Sequence, residues 1–141
     1  MNNLSWSEDY SVHVSAIDNE HRLLISLIND FGQAMDTQEN VQVQIVGDTL
    51  ERLSRYIYRH FESEERFLLF NNYPEFDTHK SEHTELLGRL ERFVARFTLE
   101  KRAVNEQMLL FLKDWLVRHI ILHDCKFGNY YRDKELTGRF D

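Results

Sequence analysis

Apolar and polar residues follow one another along this chain with the period of helices that pack in a bundle. The clearest stretch lies between residues 46 and 67, where apolar positions recur at steps of three and four residues. Stripes with the same spacing occur over residues 17–31 and 76–97. One proline and five glycines in 141 residues leave few helix breakers. The pattern therefore predicts an all-α chain built from long helices.

Breaks in the periodicity divide the chain into four predicted helices. They cover about residues 18–36, 41–70, 75–97 and 104–128. Asp18 is suited to cap the first helix, and Pro74 is suited to the first turn of the third. Residues 1–17 are expected to form an irregular arm, and residues 129–141 a polar tail. Because short links join antiparallel neighbours, we expect one domain over residues 1–141, an antiparallel up-down-up-down four-helix bundle.

Seven side chains of metal-ligating type occur within these helices, and each helix contributes at least one. They are His21, His60, Glu64, His79, His83, His119 and Asp124. Because residues four apart share a helix face, His60 can converge on the same point as Glu64, and the third helix carries a similar pair. Glu62 and Glu65 are expected to face solvent. A buried carboxylate is costly unless it is paired or binds a metal, so the pattern predicts one buried site for two metal ions.

The spacing in the fourth helix does not decide which residue is its second ligand. On an ideal α-helix, His119 shares a face with His123, four residues further on, whereas Asp124 lies about 140° away. A two-metal site benefits from a second bridging carboxylate, which favours Asp124. The periodicity of the sequence does not decide between these two residues.

Composition argues against several classes of partner and location. The formal net charge is −7 without a cluster of lysine and arginine, which argues against nucleic acid and anionic membranes as partners. No apolar run approaches 18 residues, and the first residues lack the features of a signal peptide. Cys125 is the single cysteine, which suits a reducing compartment. We expect a cytoplasmic protein that works as a monomer.

Five stretches of the chain, taken together, resemble the hemerythrin family in its bacterial single-domain form. These stretches are WSEDYSV with IDNEH before and at His21, HFESEE from His60, HKSEH from His79, and WLVRHIILHD up to Asp124. The resemblance spans nearly the whole chain, from Trp6 to about Phe127. It implies a four-helix bundle that holds two non-haem iron ions joined by an oxo or hydroxo bridge, with O2 as the ligand.

The resemblance also implies a role for each of the seven side chains. His21 and His60 would bind the iron that keeps an open coordination position. The coordinatively full iron would be bound by His79, His83 and His119. Glu64 and Asp124 would bridge the two ions, so the family pattern selects Asp124 over His123.

The leading hypothesis is a protein that binds O2 reversibly, for storage, delivery, scavenging or sensing, and is not an enzyme. The rivals are a di-iron oxidase or peroxidase on the same centre, and an iron or redox sensor that acts through a separate partner. Carboxylate-rich di-iron bundles use paired Glu-x-x-His motifs, which this chain lacks. The stretch from His79 to His83 also fits the inverted zinc-peptidase pattern H-x-x-E-H. So short a pattern matches by chance, and its Glu82 lies off the apolar stripe.

Overall fold

A computed structural model of the chain describes residues 3–36, 42–100 and 106–133. Its helices are α1 (Ser15–Asp36), α2 (Gln42–Phe70), α3 (Phe76–Glu100), α4 (Glu106–Arg118) and α5 (Cys125–Asp133). A π-helical segment, His119–Asp124, joins α4 to α5, and a 3₁₀ turn covers Glu8–Tyr10. The described residues contain no strand, so the all-α prediction is confirmed. Among the described helices, none combines the length and the apolar character needed to cross a bilayer.

The helices form the up-down-up-down four-helix bundle that the sequence predicts. α1 packs against α2 and α4, and α2 packs against α3. α3 meets α4 through side chains, since the ring of Phe111 lies 5.4 Å from that of Phe93 and 4.1 Å from the guanidinium of Arg89. Because successive helices run in opposite directions, the beginnings of α1 and α3 lie beside the ends of α2 and α4.

Two clusters of buried apolar side chains fill the bundle. The first, which we call the main core, includes Leu24, Ile57, Phe61, Leu90, Leu112 and Ile120. The second, which we call the end cluster, consists of Val12, Val14, Ile17, Phe67, Leu68, Tyr73, Phe127 and Tyr131. The predicted ligands lie between the two clusters; His60 and Glu64, for example, lie between Ile57 and Phe67 on α2. The bundle therefore holds one polar layer with apolar side chains above and below it.

The N-terminal arm is held against the bundle by Asp18. Its carboxylate accepts hydrogen bonds from the backbone N–H of Val12 at 2.8 Å and from the hydroxyl of Ser11 at 2.6 Å. α1 begins at Ser15, three residues before the predicted start. The prediction that Asp18 caps α1 is therefore wrong. Asp18 lies inside the first turn of α1, and its carboxylate oxygens accept hydrogen bonds from the arm instead of from the helix.

The other helix ends differ from the predicted ones by a few residues. α3 continues to Glu100, and Pro74 lies in the turn before it instead of in its first turn. The largest difference is at the C-terminal side, where α5 continues to Asp133 and makes residues 129–133 of the predicted tail helical. Tyr131, one turn after Phe127, is buried in the end cluster and accounts for this extension. Predicted positions on residues 37–41, 101–105 and 134–141 lie outside the described residues.

Gly128 allows α5 to pass close to the arm. A Cβ atom at this position would lie 2.7 Å from the Cα of Val12 and 2.8 Å from its carbonyl oxygen, and both are backbone atoms. We expect Gly128→Ala to lower the free energy of unfolding by about 1–3 kcal/mol, because the arm must shift. Chemical denaturation measures this change.

The matched control is Gly88→Ala on α3, where a Cβ would meet only the Nη1 atom of Arg92 at 3.8 Å. This variant should be as stable as the wild type or slightly more stable, because alanine favours a helix. Equal stability of the Gly128 and Gly88 variants would contradict the close packing of the arm.

Candidate metal centre

The seven side chains predicted to bind metal meet in the polar layer, and each is at most 4% exposed. They come from α1 (His21), α2 (His60 and Glu64), α3 (His79 and His83) and the π segment (His119 and Asp124). The Nε2 atoms of all five histidines lie within 3.5 Å of a carboxylate oxygen of Glu64 or Asp124. The layer is thus organised around two carboxylates.

The seven residues form two groups, and within each group the ligand atoms lie within 4.8 Å of one another. We call the first the three-histidine group; it consists of His79, His83, His119, Glu64 and Asp124. The second, the two-histidine group, consists of His21, His60, Glu64 and Asp124. The two carboxylates belong to both groups, so they are placed to connect two ions.

Each carboxylate directs its two oxygens to different groups. Glu64 Oε1 lies 2.7 Å from Nε2 of His79, whereas Glu64 Oε2 lies 3.4 Å from Nε2 of His60. Asp124 Oδ1 lies 3.1 Å from Nε2 of His119, whereas Asp124 Oδ2 lies 2.8 Å from Nε2 of His21. One oxygen for each of two neighbouring ions is the arrangement that a bridging carboxylate requires.

The donor atoms of the layer fit metal ions better than they fit one another. Five of these buried atoms have no aligned hydrogen-bond partner: His21 Nε2, His60 Nε2, Glu64 Oε2, Asp124 Oδ1 and Asp124 Oδ2. Two donors bound at right angles to one ion, at about 2.1 Å, lie about 3 Å apart. The Nε2 atoms of His83 and His119 lie 3.1 Å apart, which matches that spacing.

The π segment determines which residue joins His119 in the layer. The backbone N–H of Cys125 donates to the carbonyl of Ile120, a bond that spans five residues instead of four. A π turn contains one residue more than an α turn, so Asp124 lies on the same face of the helix as His119. Asp124 is fully buried, whereas the His123 side chain is 32% exposed and lies 2.7 Å from the carboxylate of Glu82. The structure therefore places Asp124 in the layer and His123 at the surface.

Comparison with known proteins agrees with this arrangement. Residues 12–125 match the family model described as the hemerythrin HHE cation binding domain. The chain belongs to the hemerythrin family. It is 29% identical over 126 residues to the bacteriohemerythrin of Methylococcus capsulatus, covering 89% of this chain and 94% of that protein. It is 30% identical over 122 residues to the myohemerythrin of Theromyzon tessulatum, covering 86% and 88% of the two chains.

A crystal structure of wild-type hemerythrin is similar to this fold. The two share a TM-score of 0.83 at 28% sequence identity, over 89% of this chain and 95% of the crystallised one. A single-site mutant of hemerythrin gives a TM-score of 0.85 at 27% identity, over 92% and 97% of the two chains. The family resemblance seen in the sequence is thereby confirmed.

Aromatic rings hold several imidazoles of this hemerythrin-family centre in place. The ring of Phe61 stacks on His83, with centroids 3.7 Å apart and planes inclined by 4°. Trp115 stacks on His119 at 5.8 Å, and Phe127 meets His79 edge-on at the same distance. These rings belong to the two apolar clusters, so the side chains that position the imidazoles also keep water from the layer.

Two carboxylates that the sequence analysis did not select contact the outer edges of the histidines. Glu20 lies 2.8 Å from Nδ1 of His60, and Glu65 lies 2.8 Å from Nδ1 of His83. Their side chains are 23% and 22% exposed. The expectation that Glu65 faces solvent was wrong, because it packs at the interface of α2 with α3. The only sequence signal is that Glu20 and Glu65 each adjoin a residue of the layer.

The two inner carboxylates control how many protons the layer carries before a metal binds. Burial alone lowers the pKa of His21, but the carboxylates of Asp124 and Glu64 outweigh burial and raise this pKa to about 10. At His79 the carboxylates of Asp124 and Glu64 also outweigh burial, and they raise the pKa to about 10. Burial prevails at His119 and lowers its pKa to about 4. The surrounding histidines overcome burial at Glu64 and hold its pKa well below the usual range. Burial is also outweighed at His83, where Glu64 and Glu65 raise the pKa. At neutral pH the metal-free layer therefore contains protonated His21 and His79.

Substitutions at Asp124 and His123 test the role of the π segment. We expect Asp124→Ala to lose most of its bound metal, because Asp124 contributes to both groups, and His123→Ala to bind as much metal as the wild type. Elemental analysis after anaerobic loading with Fe(II) and desalting measures metal per chain. Metal loss in the His123 variant with full retention in the Asp124 variant would contradict the assignment.

Metal loading should release protons, because a histidine must be neutral to bind a metal. His21 and His79, with pKa values raised to about 10, should each release one proton per chain. Both protons should still be released at pH 8, where histidines of ordinary pKa carry almost none. His83, whose pKa is also raised, adds to the release wherever it is protonated. Metal affinity should fall as the pH falls. An indicator dye in weakly buffered solution, during anaerobic Fe(II) titration, measures the release. A release well below two protons per chain at pH 8 would indicate histidines of ordinary pKa instead.

Proposed function

We propose that this chain is a non-haem di-iron protein that binds O2 reversibly. The observation that carries the proposal is that Glu64 and Asp124 each direct one oxygen to the three-histidine group and one to the two-histidine group. Membership of a family described as cation binding supports it. So do the relatives named bacteriohemerythrin and myohemerythrin.

The numbers of ligands in the two groups differ, and this difference suggests where O2 binds. The three-histidine group offers five ligands to its ion, and the two-histidine group offers four. An oxo or hydroxo bridge would add one ligand to each ion. The iron pair would supply two electrons and one remaining coordination position, at the ion of the two-histidine group. His21 and His60 are therefore the histidines that we assign to the O2-binding side.

The charges of the layer favour two divalent ions. Glu64 and Asp124 contribute two negative charges, and a bridging hydroxide would contribute a third, against four positive charges. Imidazole suits iron, copper and zinc, and the two carboxylates would bridge a pair of such ions. The near balance of charge makes the filled layer compatible with its burial between two apolar clusters.

The apolar walls of the layer suit reversible binding. Ile17, Leu24 and Phe61 are each at most 1% exposed and flank the ligands on α1 and α2. Such walls exclude water, and exclusion of water limits side reactions of a bound oxidant, including proton uptake that would release it in reduced form. Small apolar O2 can cross a layer of this kind more readily than a polar substrate can.

A carrier fits these observations better than an oxidase or peroxidase. The centre has five histidines and two carboxylates, unlike the carboxylate-rich di-iron bundles. A groove of about 320 Å³ beside α2 is lined by His60 alone among the seven ligands. The larger groove, about 830 Å³ between α3 and α4, is lined by none of them. Trp115 and His123 lie between this groove and the centre. We place the protein in the cytoplasm, because its free Cys125 suits a reducing compartment.

The proposal predicts two irons per chain and a reversible optical change with O2. After anaerobic Fe(II) loading, elemental analysis should find two irons, and oxidation should produce near-ultraviolet oxo-to-iron charge-transfer bands. Repeated cycles between O2 and argon should convert the spectrum in both directions. Zinc-loaded protein, which has no redox chemistry, serves as the control and should not respond to O2.

Three outcomes would contradict the proposal. One metal per chain, or zinc retained in place of iron after loading, would remove the di-iron assignment. Sustained O2 consumption with an added reductant, without a reversible O2 adduct, would favour the oxidase or peroxidase alternative.

A further inference from the structure

Glu20 and Glu65 contact the centre from outside, and each serves a different ligand group. Glu20 of α1 lies 2.8 Å from Nδ1 of His60 on α2, in the two-histidine group. Glu65 of α2 lies 2.8 Å from Nδ1 of His83 on α3, in the three-histidine group. The Nε2 atoms of the same two histidines face Glu64. Each imidazole is thus held between an inner and an outer carboxylate.

An outer carboxylate selects the form of histidine that a metal needs. An ionised carboxylate only accepts hydrogen bonds, so the proton of a neutral imidazole must reside on Nδ1. The lone pair of Nε2 then points into the layer, where the metal would bind. The negative charge also makes the imidazole a stronger electron donor. His21 and His119 have no hydrogen-bond partner at Nδ1, so the outer carboxylates distinguish His60 and His83 from these two.

A second hydrogen bond holds the carboxylate of Glu20 in place. The hydroxyl of Ser63 donates to Glu20 at 2.9 Å, which fixes the carboxylate against α2. Glu20 adjoins His21 in the chain, and Glu65 adjoins Glu64. Because adjacent helical residues point about 100° apart, one residue of each pair faces the layer and the other faces the next helix. The outer contacts therefore link α1 to α2 and α2 to α3.

We infer that Glu20 and Glu65 are positioning residues of the metal centre, which fix His60 and His83 as Nε2 donors and favour the oxidised state of the iron pair. The inference rests on the proposed di-iron function. It assigns to each iron one histidine whose donor strength depends on a carboxylate outside the ligand set.

The test compares Glu20→Ala and Glu65→Ala with the conservative variants Glu20→Gln and Glu65→Gln. The control is Glu62→Gln, an exposed residue of α2. Two quantities are measured on the iron-loaded proteins: the rate of iron release to a chelator, and the reduction potential from an optical redox titration. Thermal unfolding of the metal-free proteins records any effect on the fold alone.

The alanine variants should release iron about 10–100-fold faster than the wild type, and their potentials should become more positive. The glutamine variants should release iron more slowly than the alanine variants, because an amide oxygen still accepts from Nδ1. Their potentials should nevertheless rise, since the negative charge is lost. Glu62→Gln should match the wild type in both quantities.

Iron release and potential equal to those of Glu62→Gln in all four variants would overturn the inference. A change in thermal unfolding without a change in potential would overturn it as well, because the carboxylates would then act on the fold alone. Failure of the wild type to bind two irons would instead reject the proposed function, so the two failures are distinguishable.

Discussion

The structure depends on the sharing of two buried carboxylates by five imidazoles. Glu64 and Asp124 are completely buried, and a carboxylate in such a place is tolerated only when positive charge surrounds it. In the metal-free protein that charge comes from protons on His21 and His79, and in the proposed holo form it comes from two metal ions. The same carboxylates thus stabilise either state. Metal binding exchanges protons for cations at one place, which couples it to folding and to pH.

The two apolar clusters make this exchange possible inside a small bundle. The main core lies on one side of the polar layer, and the end cluster, closed by the arm and α5, lies on the other. Because Asp18 holds the arm and Gly128 lets α5 approach it, the end cluster can exclude water from a layer near the end of the bundle. Electrostatic interactions are stronger in a site from which water is excluded. The outer contacts of Glu20 and Glu65 then orient two of the imidazoles that the clusters enclose.

The π segment shows how local backbone geometry serves the centre. A π turn is rare because it departs from the preferred backbone of an α-helix, and it often marks a functional site. Here the additional residue in the turn brings Asp124 onto the face of His119 and leaves His123 beside Glu82 at the surface. α5 then continues toward the end cluster, where Phe127 and Tyr131 are buried. One wide turn therefore supplies both a carboxylate that belongs to the two ligand groups and the closing helix.

The sequence by itself determined the bundle and most of the polar layer. Each helix buries one stripe, so a histidine or carboxylate on that stripe, such as His60, Glu64 or His83, must face the interior. Periodicity could not choose Asp124 over His123, because it assumes a constant 3.6 residues per turn, and only the folded chain contains the π turn. Nor could it identify Glu20 and Glu65, whose partners lie on other helices. Contacts between helices depend on how the helices pack, and packing is decided by the tertiary structure.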